Sequence, residues 1–414
     1  MEVAELPEQN VRVRRGVRRI APLLGPAFVA CIAYVDPGNI ATNIQSGAQH
    51  GYLLLWVIVV ANLMAMVVQH LSAKLGLATG RSLPELCRDR FPDLVVRVLW
   101  VQAELIAIAT DLAEFVGAAI ALNLLFGVPL FPAGVVTAIA SFAVLGLQAG
   151  GRRRFERVMM LFLAVITLGF LYDTLGVGVD VGAAAGGLVP AFDAGSSVLL
   201  ATGILGATVM PHVIYLHSAL TQDRVPRDDA QRRSMMLVNR VDVLVAMGLA
   251  GAVNMLMLIV AAALFHRHGV DVHTLRSAYA EFADLAGSGA ALAFALALLA
   301  SGLSSSSVGT YAGQVVMQGF LHRAVPLLLR RLITMAPSLA ILAVGLDPTR
   351  ALIVSQVVLS FGIPFALVPL VRLTSNREVM GKLVNRRLTT ALACVITTLI
   401  VGLNSLLLVQ VFLA

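Results

Sequence analysis

The sequence predicts an all-α polytopic membrane protein of about eleven spanning helices, arranged as two inverted five-helix repeats plus one extra C-terminal helix. Three observations carry that prediction. Of 414 residues, 58% are hydrophobic and only 13% charged, about half the charge of a water-covered globular protein. Apolar runs near the roughly 20 residues that a hydrocarbon layer demands recur along the chain, as in Tyr52 to Leu71, Val158 to Leu171 and Leu388 to Leu413. Two of the predicted spans, the first and the sixth, are interrupted near their middles by proline and glycine.

Residues 1–19 form a basic tail with Arg12, Arg14, Arg15, Arg18 and Arg19. The tail imitates the start of a signal peptide. The apolar run behind it holds Asp36-Pro37-Gly38-Asn39 instead of a small-residue cleavage site, so cleavage is not expected. Spans follow at 20–48, 51–71, 95–124, 131–148 and 158–176, making a first repeat over 20–176. The segment Asp173 to Asp193 is acidic, free of Lys and Arg, and rich in Gly and Ala. It marks an outside loop over 177–195 between the halves. The second repeat, 196–371, holds spans at 196–220, 239–264, 289–318, 325–345 and 351–371. Glycine and serine in the eighth span predict a bend. A loop over 372–387 leads to the eleventh helix within 388–414.

Arginine and lysine set the orientation. With the N-terminus inside, all but three of the 30 Lys and Arg residues fall in cytoplasmic loops, the tail or adjoining helix ends. Only Arg267, Arg276 and Arg350 fall opposite. One miscounted middle span would scramble this asymmetry, so it supports both count and orientation. The net charge of +7 therefore reads as topology, not as a nucleic-acid patch. Eleven spans place the C-terminus outside. Cys31, Cys87 and Cys394 are scattered and offer neither a zinc spacing nor a disulfide framework. No glycine-rich phosphate loop precedes a Lys-Ser or Lys-Thr pair, and neither an enzyme nor a bound cofactor is expected.

The interruptions carry the chemistry. Ala33-Tyr34-Val35-Asp36-Pro37-Gly38-Asn39 breaks the first span, and Gly206-Ala207-Thr208-Val209-Met210-Pro211-His212 breaks the sixth. Proline removes an amide donor and glycine tolerates non-helical angles. Unwound backbone survives at membrane depth only when buried in protein or lining a polar cavity. Paired interruptions point to a central transport site. A single proline kink is ordinarily structural, and Asn39 or Met210 alone would read as packing. Asp36 shifts that balance, because an ionisable group there costs roughly 2.5–3.5 kcal/mol unless compensated. Carboxylate, amide oxygen, thioether and free carbonyls together suggest a divalent transition metal. Oxygen suits manganese and iron(II), and thioether sulfur favours softer ions over magnesium and calcium. The carbonyls of Tyr34 or Ala207 and the amide of Gln356 can join as the ion sheds water.

Further ionisable residues lie where lipid would forbid them. Glu104, Asp111 and Glu114 share one face of the third span, being seven and three residues apart. The sixth span adds His212 and His217, with Arg224 near its end, and the ninth adds Arg330 and Arg331. Acids and histidines in membrane segments form proton relays. Alternatively, Asp111 and Glu114 are static partners of Arg330, Arg331 or Arg224, and His217 serves structure. In the relay reading, metal arrival disfavours protonated Asp36 and drives a proton toward His212, Glu114 and Asp111.

At Asp36-Pro37-Gly38-Asn39, at Ala207-Thr208-Val209-Met210-Pro211-His212 and over Ala300 to Thr310, the sequence resembles the Nramp family of proton-coupled divalent-metal transporters, its bacterial manganese branch in particular. The likeness covers nearly the whole chain. It implies alternating access, with metal ligands at Asp36, Asn39, Met210 and the Ala207 carbonyl, joined by Gln356 in some conformations. It also implies proton movement through His212, Glu114 and Asp111, with Glu104, Arg224, Arg330 and Arg331 as a polar network. Mn²⁺ is the implied cargo, Fe²⁺ and Cd²⁺ are plausible additions, and magnesium-preferring relatives lack the methionine. The implied setting is a bacterial inner or plasma membrane, with metal ions, protons and lipid as partners and no nucleic acid. The bundle can be complete as a monomer. The rival readings are an organic-solute (amino-acid) symporter of the same broken-helix architecture, a non-transporting metal sensor, and a channel.

Overall fold

The structure, a computed structural model, describes residues 25–146, 152–193, 195–226, 228–321 and 327–413. The basic tail expected over 1–19 lies outside them. The first half comprises α1 (Pro26–Ala33), α2 (Pro37–His50), α3 (Leu55–Thr79), α4 (Leu83–Arg90), α5 (Asp93–Phe126), α6 (Leu130–Gly146) and α7 (Arg152–Gly176). A short α8 (Val181–Gly186) lies in the connection between halves. The second half comprises α9 (Gly195–Thr208), α10 (Pro211–Thr221), α11 (Asp229–Leu264), α12 (Leu275–Ala286), α13 (Ser288–Leu321), α14 (Leu327–Val344) and α15 (Pro348–Thr374). A turn of helix, α16 (Arg377–Met380), then precedes α17 (Arg387–Leu413).

Eight of the spans, counting α9 and α10 as one, are long and apolar enough to cross a membrane among the described residues. The first predicted span is split into two pieces, and α6 is a shorter apolar helix. With α14, the tally of eleven stands. The order is that of an inverted repeat: α1/α2 corresponds to α9/α10, and α3, α5, α6 and α7 correspond to α11, α13, α14 and α15. Large apolar side chains such as Leu63, Leu105, Ile139 and Leu168 are more than half exposed, as a surface facing lipid tails requires. α5 and α13 pack along much of their lengths, and α2 lies against α11.

Four short helices, α4, α8, α12 and α16, escaped the sequence reading, the longer two being α4 and α12. α4 begins with a capping box in which Ser82 and Glu85 satisfy each other's ends. α12 buries Leu275, Ala278 and Phe282 on one stripe. Both lie outside the long apolar runs, where hydropathy marks only a loop. The seventh span likewise starts at Asp229, ten residues before the predicted 239. Arg232 and Arg233 end the hydropathy signal there without ending the helix.

A proline marks each break without sufficing for it, since Pro337, Pro364 and Pro369 lie inside the continuous α14 and α15. The residue before proline is driven out of the α region, so Asp36 (φ −70°, ψ 169°) and Met210 (φ −81°, ψ 120°) are both extended. Pro37 and Pro211 then open the second half-helices, where a missing amide costs nothing. The unwound carbonyls find side-chain partners. Ser301 Oγ donates to the Val35 carbonyl at 2.6 Å, and Asn254 Nδ2 to that of Tyr34 at 2.8 Å. Asn254 also accepts from Asn43 Nδ2 at 2.8 Å, so one α11 side chain ties both halves of the first broken helix.

The start of α1 is held by Asp242 of α11. Its carboxylate accepts from the Gly25 amide at 3.2 Å and the Ala27 amide at 3.0 Å, taking two of the amides a helix start leaves unpaired. Losing such a cap costs about 1 kcal/mol. Asp242→Ala is therefore expected to raise hydrogen exchange of the amides over 28–33 by about five- to tenfold. Exchange mass spectrometry on that peptide reads it, and α13 serves as the unchanged control.

Candidate metal-translocation site

The two breaks face each other. Asn39 Nδ2 donates to Asp36 Oδ1 at 2.7 Å and to the Ala207 carbonyl at 3.0 Å, so the amide bridges from the first break to the second. The Asn39 backbone amide also donates to Asp36 Oδ1, at 2.7 Å. One carboxylate oxygen thus caps α2. The other, Oδ2, is buried without a hydrogen bond among the described residues. Thr208 Oγ1 and Gln356 Oε1 share that condition. Asp36, Ala207, Met210 and Gln356 are completely buried and Asn39 is 1% exposed, so this conformation is closed around the site.

Gln356 reaches the site over Gly38. A Cβ at Gly38 would fall 1.8 Å from Gln356 Nε2, a separation no methyl group can occupy. The obstructing atom ends a flexible side chain, so alanine would expel the amide before it disturbed the fold. Gly38→Ala is expected to lower metal uptake about tenfold, an overpacking cost of 1–3 kcal/mol taken by the site. In a Gln356→Ala background the same change should add less than twofold. Full additivity in vesicle uptake would disprove the displacement.

Of the six predicted metal-site residues, the structure gathers five around the breaks: Asp36, Asn39, Ala207, Met210 and Gln356. Tyr34 differs. Its carbonyl is engaged by Asn254, and its phenol accepts from Gln69 Nε2 at 2.6 Å. Gln69 Oε1 in turn pairs with His217 Nδ1 at 2.8 Å. Tyr34 and His217 therefore belong to one buried chain joining α1, α3 and α10. Sequence reasoning placed them apart because it passed over Gln69, a polar residue within an apolar span.

Among the proton candidates, Glu114 is fully buried and neither oxygen makes a hydrogen bond among the described residues. It lies within electrostatic range of Asp36, Asp111 and Arg331, facing Ser305. Asp111 lies one turn earlier on α5, near Arg331, Arg330 and Thr334. Arg331 donates to Ser306 Oγ at 2.6 Å and to the Ser306 carbonyl at 3.2 Å, and stacks over Phe142 at 5.1 Å. Arg330 pairs with Glu104 at 3.1 Å. Glu114, Asp111, Arg331, Arg330 and Glu104 thus follow the interface of α5 with α13 and α14, leading away from the breaks. His212 Nδ1 meets Thr110 Oγ1 of the same α5 at 3.3 Å, and its Nε2 is unpartnered among the described residues.

Arg224 is the exception and corrects the predicted grouping. It ends a short turn after α10 and lines a separate cavity with Asp242, Gln231 and Pro26. The reason is topological. Arg224 lies past the end of α10, beside the start of α1, where the Asp242 carboxylate supplies the countercharge. Sequence reasoning misses Gln69, Asn254 and Asn404, all neutral, and gives no role to Ser301 and Ser306 within Ala300 to Thr310. Asn404 fastens α17 to Ser360, one turn beyond Gln356, by bonds of 2.6 and 2.9 Å. Their only sequence signal is polarity inside an apolar run, which does not reveal the partner.

Known proteins match this arrangement. The family model for Nramp, natural resistance-associated macrophage protein-like, matches residues 27–410. The divalent metal cation transporter MntH of Deinococcus radiodurans is 54% identical over 415 residues, covering 97% of this chain and 95% of that protein. MntH of Bacillus subtilis is 52% identical over 400 residues, covering 96% and 94%. A crystal structure of the Eremococcus coleocola manganese transporter, in complex with an aromatic bis-isothiourea compound, superimposes with a TM-score of 0.86. It is 34% identical, with coverage of 95% of this chain and 88% of that one. A nucleobase-cation-symport-1 transporter shares the fold at a TM-score of 0.62 and 15% identity, covering 93% and 91%.

Proposed function

This chain belongs to the Nramp family, and from that premise we propose that it imports divalent transition metal ions, chiefly Mn²⁺, coupled to protons by alternating access. The observation that carries the reading is the set of buried acceptors at the breaks. Asp36 Oδ2 and Gln356 Oε1 lack hydrogen bonds among the described residues, with the Ala207 carbonyl reached by Asn39 and Met210 buried at the second break. Each such buried acceptor costs about 1–3 kcal/mol unless something satisfies it. A dication does so, and the C-terminal end of α9 brings the Ala207 carbonyl to the same place.

The ligand set also suits cargo that must leave. Among the described residues no three His, Cys, Asp or Glu side chains converge as a possible metal cluster. A single carboxylate with neutral partners binds without trapping, which conduction through a site demands. Met210 biases the choice toward softer ions and away from magnesium and calcium, leaving Fe²⁺ and Cd²⁺ as further cargo. The organic-solute reading fits less well, because a substrate carboxylate would meet the Asp36 carboxylate.

Asp36 is the proton donor when metal arrives. Glu114 receives that proton, and Asp111 and the Arg330–Glu104 pair extend its route along α5, with His212 flanking the site. The buried chain Tyr34–Gln69–His217 closes the site toward the basic end of the bundle. The N-terminus and the arginine-rich loops face the cytoplasm, following the Lys and Arg asymmetry, and the C-terminus faces outside. A negative interior then favours entry by about 2.3 kcal/mol per elementary charge per 100 mV.

Sealed vesicles loaded with a Mn²⁺-quenched dye provide the test. Uptake should saturate, accelerate with an inward proton gradient and ignore amino acids. Amino-acid-driven proton entry without Mn²⁺ entry would replace this reading with the organic-solute symporter.

A further inference from the structure

A crevice of about 590 Å³ opens at the cytoplasmic ends of α3 and α11 and the start of α17, away from the translocation site. Its cations are Lys74 of α3, Arg240 of α11, and Lys382 and Arg386 of the link before α17, with His70 behind them. Among the described residues no acidic side chain lines it. Lys382 is paired with Asp229 at 3.0 Å beyond the rim, and Lys74 donates to the neutral Asn385 Oδ1 at 2.7 Å. Arg240 lies within electrostatic range of Lys74 and His70. Arg240 and Arg386 are exposed and form no ion pair among the described residues. Like charges thus converge on one opening with a single countercharge, itself outside.

The remaining walls are apolar. Met66 and Val67 of α3, Val243 and Leu244 of α11, and Leu388 and Leu392 of α17 line the crevice. Leu244, Leu388 and Leu392 are 58%, 81% and 46% exposed, so the apolar wall runs out onto the surface facing the bilayer. Cations at the headgroup level above an apolar groove match one amphiphile: an anionic head joined to hydrocarbon tails. A soluble anion would leave those walls without a partner.

We propose that this crevice binds an anionic phospholipid of the phosphatidylglycerol class. Its phosphodiester lies between Arg240, Arg386 and Lys74, and its acyl chains follow Leu244, Leu388 and Leu392. The site is independent of the metal pathway. It steadies α11 two residues from Asp242, the cap on α1.

The test uses the full chain purified in neutral detergent and titrated with dioleoylphosphatidylglycerol or dioleoylphosphatidylcholine. Native mass spectrometry counts retained lipid and a thermal melt reads stabilisation. The wild type should retain phosphatidylglycerol in preference to phosphatidylcholine. The double variant Arg240→Gln/Arg386→Gln should retain it roughly thirtyfold less, two charges' worth of surface attraction. Arg240→Lys/Arg386→Lys should stay within about threefold of wild type. Both variants should import Mn²⁺ normally in phosphatidylcholine vesicles, which shows that they fold. Equal retention by wild type and the glutamine variant, or no preference between the two lipids, overturns the proposal. So does a thermal shift from inorganic phosphate equal to that from phosphatidylglycerol, which would make the crevice a simple anion site.

Discussion

In Asp36→Asn, Mn²⁺ uptake and the proton flux that accompanies it are both expected to fall by at least about a hundredfold. Outer-sphere partners of a metal already command 10- to 100-fold in affinity, and Asp36 supplies the only carboxylate placed between the two breaks among the described residues. The amide keeps the shape of the side chain and can still accept from the Asn39 backbone amide, as Asp36 Oδ1 does at 2.7 Å. Folding should therefore survive, and a melting temperature near wild type would confirm it. What disappears is negative charge against a dication, together with a group that can release a proton when the ion arrives. Dye-quench uptake and an intravesicular pH probe, read on the same vesicles, measure both. Metal-triggered proton flux at wild-type rate would remove Asp36 from the proton route, even if metal uptake were lost.

The second large effect concerns choice among ions. Met210→Ala is expected to cost about tenfold in Mn²⁺ and Cd²⁺ uptake while improving the relative handling of Ca²⁺ and Mg²⁺ by a similar factor. A tenfold change corresponds to 1.4 kcal/mol, a modest demand on one thioether. The direction matters more than the size. Removing a hydrophobic ligand from a buried site admits water, which hard cations welcome and softer ones do not need. The backbone should not move, because Met210 is extended on account of Pro211 and makes no side-chain cap to α10. Competitive uptake across Mn²⁺, Fe²⁺, Cd²⁺, Mg²⁺ and Ca²⁺ reads the change. Loss of Mn²⁺ uptake with undiminished rejection of Ca²⁺ would assign Met210 to packing alone.

The legible parts of this protein are those where a residue type answers to the solvent. Long apolar runs answer to lipid, arginine and lysine answer to the membrane surfaces, and proline beside Asp36 or Met210 answers to helix geometry. Those signals place the spans, the two breaks and the residues that meet at them. Arrangement between helices is a different matter. Arg224 and Arg330 look alike in sequence, yet one faces Asp242 and the other Glu104. Ser301 and Asn254 complete the backbone of a helix more than 200 residues away, and no local pattern announces that. α12 shows the converse. Its stripe of Leu275, Ala278 and Phe282 was readable as an amphipathic period, but it is not long enough to register as a span.

The shared start of α2 and α10 has one further consequence. Pro37 and Pro211 carry no amide hydrogen, so winding either gap into helix would gain no backbone bond at the proline itself. Rewinding is therefore unrewarded. Movement of one arm against the other at the first break therefore forfeits no helical bond at the proline, only the side-chain tie through Asn254 to the Tyr34 carbonyl and Asn43.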